Sequence, residues 1–239
     1  MKLYAFVRRQ EGDRLIHVWE AERLRQKDGE KERYYSTELD ASRRQEMVLV
    51  HREGLMFFRY KKLPEDGSAD SAGQTLTHLK MKEFLCQMSH VKLMLPEGML
   101  ELWVEKWKPE YRMEMEEGRV VVADLLAVVC AAQPADRVRR WPQKVLLEIT
   151  VTHPTERDKV LALEEQGYPV IEIPVDTAWR IPEGLTTSEE TVLAAEEKLR
   201  ERLNTCIPAR ILTEPGRPLI KKSGLWQKWM RFLEEIITN

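Results

Sequence analysis

"KVLLEITVTHPTERDKVLALEEQGYPVIEIPV", Lys144 to Val175, leaves the chain little topological freedom. An aliphatic, β-prone run from Lys144 is stopped at His153-Pro154, because proline has no amide to give to a ladder. Thr155 with Asp158 resembles a helix N-cap pair, the helix ends at Gly167, and "YPVIEIPV" reads as a second buried strand. A strand, a helix and a strand joined this closely argue for parallel pairing of the two strands. The chain therefore reads as α/β.

The same stretch poses a chemical question. Glu148 lies among Val145, Leu146, Leu147 and Ile149, and an unpaired charge buried in such a strand is costly. Either it faces solvent at an edge or it faces something positive. The preceding strand, "RVVVADLLAVVC", repeats the oddity with Asp124. If the two strands form an antiparallel hairpin, the midpoint between the acids is residue 136, in the loop "AAQPADRVRRWPQ". Asp124 and Glu148 then lie level on neighbouring strands. Two carboxylates so placed repel unless a cation or a proton sits between them, and such a site suits Mg²⁺ or Mn²⁺.

Strand alternation puts Thr150 and Thr152 on the face of Glu148. In "YRMEMEEG" it puts Arg112, Glu114 and Glu116 on one face, which makes Glu114 a candidate third acid. His78 and Lys82 stand four apart on one helical face. Arg137, Arg139 and Arg140 form a basic loop able to grip phosphate.

Short strands are expected at 3–7, 15–19, 47–51 and 55–60, which gives a small β-rich module over residues 1–63. "PEDGSADSAGQ", 64–74, is the linker. A helix over 76–88 and strands at 100–106, 111–116 and 119–130 lead into the larger module, 75–180. A helical extension, 181–239, contains a capping box from Thr187 to Glu190 and an amphipathic tail with Trp226 and Trp229 on one face. That tail is expected to serve as core, or as the contact with a second copy or a partner subunit. Net charge is −2, so no overall basic field announces a polyanion partner. Cys86, Cys130 and Cys206 are scattered and form no CxxC pair, so a zinc ribbon or disulfide framework is unsupported and a reducing, cytoplasmic compartment is expected. No apolar run reaches the length of a membrane span.

Taken in order, "THLKMK" (His78, Lys82), "MEME" (Glu114), "VVADLL" (Asp124) and "EITVTH" (Glu148, Thr150, His153) resemble the PD-(D/E)XK nuclease superfamily, and most closely its competence-protein CoiA-like branch. The resemblance spans roughly residues 75–176. It implies a restriction-endonuclease-like mixed sheet flanked by helices, behind the small β module. It also implies metal-dependent hydrolysis of nucleic-acid phosphodiesters, DNA more than RNA, in bacterial DNA handling or defence. Asp124, Glu148 and the carbonyl of Ile149 would bind Mg²⁺ or Mn²⁺, while Glu114, His78 and Lys82 orient water or phosphate. The lysine usual two residues after the glutamate is Thr150 here; Lys159 and Lys82 are candidates to substitute, although Lys159 reads first as a surface residue. Relatives often carry a cysteine-ligated zinc element near the N-terminus. Here "RYYST" and "LMFFRYKK" lack its ligands, so no zinc is expected. The alternative is a degenerate nuclease fold that binds nucleic acid or a protein partner without cutting.

Overall fold

The computed structural model describes residues 2–9, 12–28, 32–38, 41–52, 54–62, 75–115, 118–135, 141, 143–151, 154–184 and 187–215. The linker 64–74, the arginine loop, His153 and the Trp226/Trp229 tail lie outside the described residues.

The first elements are β1 (Tyr4–Arg9), β2 (Gly12–His17), α1 (Val18–Asp28), β3 (Tyr34–Tyr35), β4 (Glu46–Arg52) and β5 (Leu55–Tyr60). They form an antiparallel sheet in the order β2-β1-β3-β4-β5. It curls far enough for Lys2, just ahead of β1, to bridge Phe58 of β5. Ile16, Val18, Ala21, Met47 and Phe58 fill its core. Each large aliphatic or aromatic side chain buried there contributes about 1.5–3 kcal/mol. α1 occupies a stretch that reads as merely polar and interrupted. Its polar residues face water, and Val18 and Ala21 suffice to dock it.

The next elements are α2 (Leu76–Cys86), β6 (His90–Leu95), β7 (Gly98–Glu114), β8 (Val120–Gln133), β9 (Lys144–Thr150), α3 (Arg157–Glu165), β10 (Val170–Pro174), α4 (Glu189–Thr205), β11 (Ile207–Pro208) and β12 (Arg210–Thr213). Their strands make a mixed sheet in the order β11-β6-β7-β8-β9-β10-β12. β10 runs parallel to β9, as the crossover requires. The architecture is thus α/β, with an antiparallel and a mixed sheet and four α-helices among the described residues. No described helix is long and apolar enough to cross a membrane.

Local readings need four corrections. The two strands expected at 100–106 and 111–116 are one long strand, β7, which runs through Pro109 with irregular register. "HVKLML" is a strand, β6, between the expected helix and the next expected strand, where none was expected. α3 is capped at Glu156 instead of Thr155, whose amide goes to Glu172 at 2.8 Å. For α4, Ser188 Oγ rather than Thr187 receives the Thr191 amide, at 3.3 Å. The stop at Gly167 is as expected: its φ of 72° is a left-handed conformation that glycine adopts without penalty.

The chain divides into two compact units. One comprises Met1–Lys80 and Ile181–Glu197. The other comprises Met81–Arg180 and the chain from Lys198 on. The division therefore falls inside α2, and the first part of the C-terminal extension returns to the N-terminal unit. Hydrogen bonds explain the return: Ile181 N–H donates to Thr77 Oγ1 at 2.8 Å and Leu76 N–H to Glu183 at 2.5 Å.

Candidate functional site

The register of the mixed sheet aligns its charged residues. β8 and β9 pair with Leu125 opposite Leu147 and Leu126 opposite Leu146. One more step sets Asp124 opposite Glu148. β7 pairs Pro109 with Leu125 and Tyr111 with Ala123, which sets Glu110 opposite Asp124. β10 sets Glu172 beside Glu148, and β12 sets Arg210 beside Glu172. Residues opposite one another across a ladder share a face. Five neighbouring strands thus carry one level row: Glu110, Asp124, Glu148, Glu172, Arg210.

Adjacent strands lie about 4.8 Å apart, so four carboxylates in a row repel unless cations are set among them. Two helices and the last strand deliver those cations. Lys82 of α2 is fully buried, with Nζ 3.2 Å from Glu110 Oε1 and 3.7 Å from Asp124 Oδ1. Lys159 of α3 reaches Glu148 Oε2 at 2.6 Å. Arg210 pairs with Glu172, which is itself 1% exposed. α3 docks through Ala162 and Leu163 against Leu126, Leu146 and Val170, which holds Lys159 one turn away over the acid. Glu148 therefore faces a cation in the interior and not solvent.

Glu148 is 3% exposed. Burial, and then the neighbouring Asp124 charge, push its pKa up to about 7 against the pull of Lys159. Its Oε1 is buried with no hydrogen-bond partner among the described residues. Asp124 Oδ2 accepts the Ile149 amide at 2.8 Å, which ties the two strands together at the acids. Glu110 has φ 49° in mid-strand. Residues with a side chain rarely adopt that conformation, and it persists only where the surroundings enforce it; here the buried Lys82 holds its carboxylate.

The other expected site residues fall as follows. Thr150 closes β9 half-buried on the face of Glu148, and its carbonyl accepts the Val175 amide at 2.8 Å. His78 sits one turn before Lys82 on α2, its amide capped by Thr75 Oγ1 at 3.2 Å. Glu114 is exposed at the far end of β7, four residues from Glu110, and so about 13 Å along the strand from the row. Glu110 takes the level place instead. Glu172 carries the signature of its neighbours, an acid inside "VIEIP", and was legible by the same argument. Glu110 had no such signal, because Pro109 breaks the apparent strand.

The carboxylate pair with an orphaned buried oxygen has the hard oxygen donors that a divalent cation takes. Among the described residues no group of three or more His, Cys, Asp or Glu side chains is gathered to hold a metal ion. Comparison of the chain with protein-family models, with curated proteins and with solved structures finds no match.

Proposed function

We propose that the chain is a metal-dependent nuclease of the PD-(D/E)XK kind, acting on DNA in preference to RNA, in the cytoplasm, in DNA handling or defence. The observation that carries this reading is the level pair Asp124 and Glu148 with Lys159 set onto Glu148. The succession α2, antiparallel β7-β8-β9, α3 and parallel β10 supports a restriction-endonuclease-like core. Asp124 and Glu148, with the Ile149 carbonyl, would hold Mg²⁺ or Mn²⁺, which supplies Lewis acidity and an activated water. The chain's own residues prepare the site. Lys159 brings the positive charge that Thr150 lacks, next to the acid and on a helix instead of the strand. Lys82 fixes Asp124 and Glu110, and the Ile149 amide fixes the Asp124 carboxylate. A proton on Glu148 weakens it as a ligand, so cleavage should rise as pH passes through about 7.

The test is cleavage of labelled single- and double-stranded DNA, and of RNA, with Mg²⁺ or Mn²⁺. Asp124→Asn and Glu148→Gln should each cut at least about 100-fold more slowly than wild type. Asparagine is the better replacement at 124, because it still accepts the Ile149 amide. Equal cutting by wild type and Asp124→Asn would sink the assignment. One observation favours the degenerate alternative: Lys82, Lys159 and Arg210 already neutralise the acids. A wild type that never cuts but binds nucleic acid with a steep salt dependence would decide for it.

A further inference from the structure

α3 enters the site without a cap of its own. Glu156, its N-cap residue, makes no side-chain bond to the first turn. The Thr155 hydroxyl is buried with no hydrogen-bond partner among the described residues. At nine residues, the helix is short of the roughly 12–15 that an isolated helix needs in water. Tertiary contacts therefore decide where its side chains stand. Ala162 and Leu163 pack its second half against Leu126, Leu146 and Val170. At the entry, the Thr155 amide donates to Glu172 Oε1 at 2.8 Å. Lys159 lies between these two holds, one turn beyond Thr155.

Glu172 is free to hold that amide because its charge is met elsewhere. It is 1% exposed, and its other oxygen, Oε2, takes the Arg210 guanidinium. Parallel register sets it beside Glu148 on the neighbouring strand, about 4.8 Å away across the ladder. Lys159 Nζ donates to Glu148 Oε2 at 2.6 Å. Two level acids thus divide two cations between them, Arg210 on one and Lys159 on the other.

We propose that Glu172 is a positioning residue. Through the Thr155 amide it fixes the entry of α3 and so seats the Lys159 ammonium on Glu148. Arg210, bound to Glu172, keeps that acid from drawing the ammonium to itself. The part played by Lys159 in cleavage rests on the nuclease reading; its seating on Glu148 does not.

Brief acetylation of the folded protein with acetic anhydride, read peptide by peptide in a mass spectrometer, tests the seating. An ammonium bonded to a carboxylate gives up its proton reluctantly and reacts slowly. Glu148→Gln sets the rate for Lys159 without its carboxylate. Glu172→Leu combined with Arg210→Met removes both charges of the pair together, an exchange that buried ion pairs often tolerate. It leaves the Thr155 amide unheld. Labelling of Lys159 should then rise about tenfold, the worth of one charge-assisted hydrogen bond, while Lys144 on β9 reacts as before. On labelled DNA, kcat should fall about tenfold with KM unchanged, since what is lost acts in the transition state.

If the double variant fails to fold, Glu172→Gln decides. A glutamine places its one oxygen toward Arg210 or toward Thr155, not both, so Lys159 should again label faster. Unchanged labelling of Lys159 in a folded variant would overturn the proposal, and so would faster labelling with undiminished kcat. Faster labelling in a chain whose wild type never cuts would support the positioning and count against the nuclease reading alone.

Discussion

Glu148 is where burial, charge and chemistry meet in one side chain. Its pKa stands at about 7 in the folded protein against an ordinary 4.5. A folded value above the unfolded one means that the native state holds more proton between those two pH values. Stability should therefore fall as pH rises from about 4.5 to about 7, by at most roughly 3 kcal/mol from this group. Urea unfolding at pH 5 and pH 8 should show that loss in wild type and not in Glu148→Gln. Parallel profiles for the two proteins would mean that Glu148 is ionised throughout. Lys82 makes the opposite case, a buried cation between two acids. Lys82→Met should cost about 3–5 kcal/mol, because it removes the buried cation set between the Glu110 and Asp124 carboxylates. Adding Glu110→Gln should recover part of the loss in a double-mutant cycle, whereas additive losses would show that the two do not interact.

At the scale of elements, the site is a matter of which element delivers the lysine. On the nuclease reading proposed above, the superfamily's lysine would come from the strand, two residues after the glutamate, where Thr150 stands here, while Lys159 reaches Glu148 from α3. Lys159→Ala should abolish cleavage and also lower stability, because it strips the buried Glu148 carboxylate of its cation. Thr150→Lys in that background should restore part of the activity, because a lysine there rises from the same face as Glu148. Failure of this rescue, measured on the same labelled DNA, would show that the cation must approach from the helix. The register of β8 and β9 was readable from two numbers, since the midpoint 136 follows from Asp124 and Glu148 once a hairpin is assumed. The course of β7 was not readable, because a proline and a residue with positive φ interrupt the alternation on which strand reading depends.

At the scale of the molecule, segments distant in sequence complete the N-terminal unit. Ile181 and Val192 are 3% and 2% exposed, and each such burial contributes about 1.5–3 kcal/mol. Ending the chain at Arg180 removes both, along with the Glu189 partner of Arg23 and the Glu196 partner of Lys80. Amide exchange in β1 and β2 should then speed up markedly relative to the full chain. Unchanged protection would show that residues 181–197 are dispensable to that unit.

The sequence by itself determined the α/β class, the parallel crossover from β9 to β10 and the pairing of Asp124 with Glu148. These follow from local periodicity, from proline and glycine, and from the cost of a charge in an apolar run, all of which act within a few residues. Only the tertiary structure decided that Glu110 rather than Glu114 stands level with Asp124, that Glu172 and Arg210 extend the row, and that the helix α4 begins in one unit and ends in the other. Those outcomes depend on strand register and on buried partners more than 25 residues away, such as Lys82 for Glu110 and Thr77 for Ile181. Such pairings are selected by the free energy of the packed interior, and no local pattern encodes it.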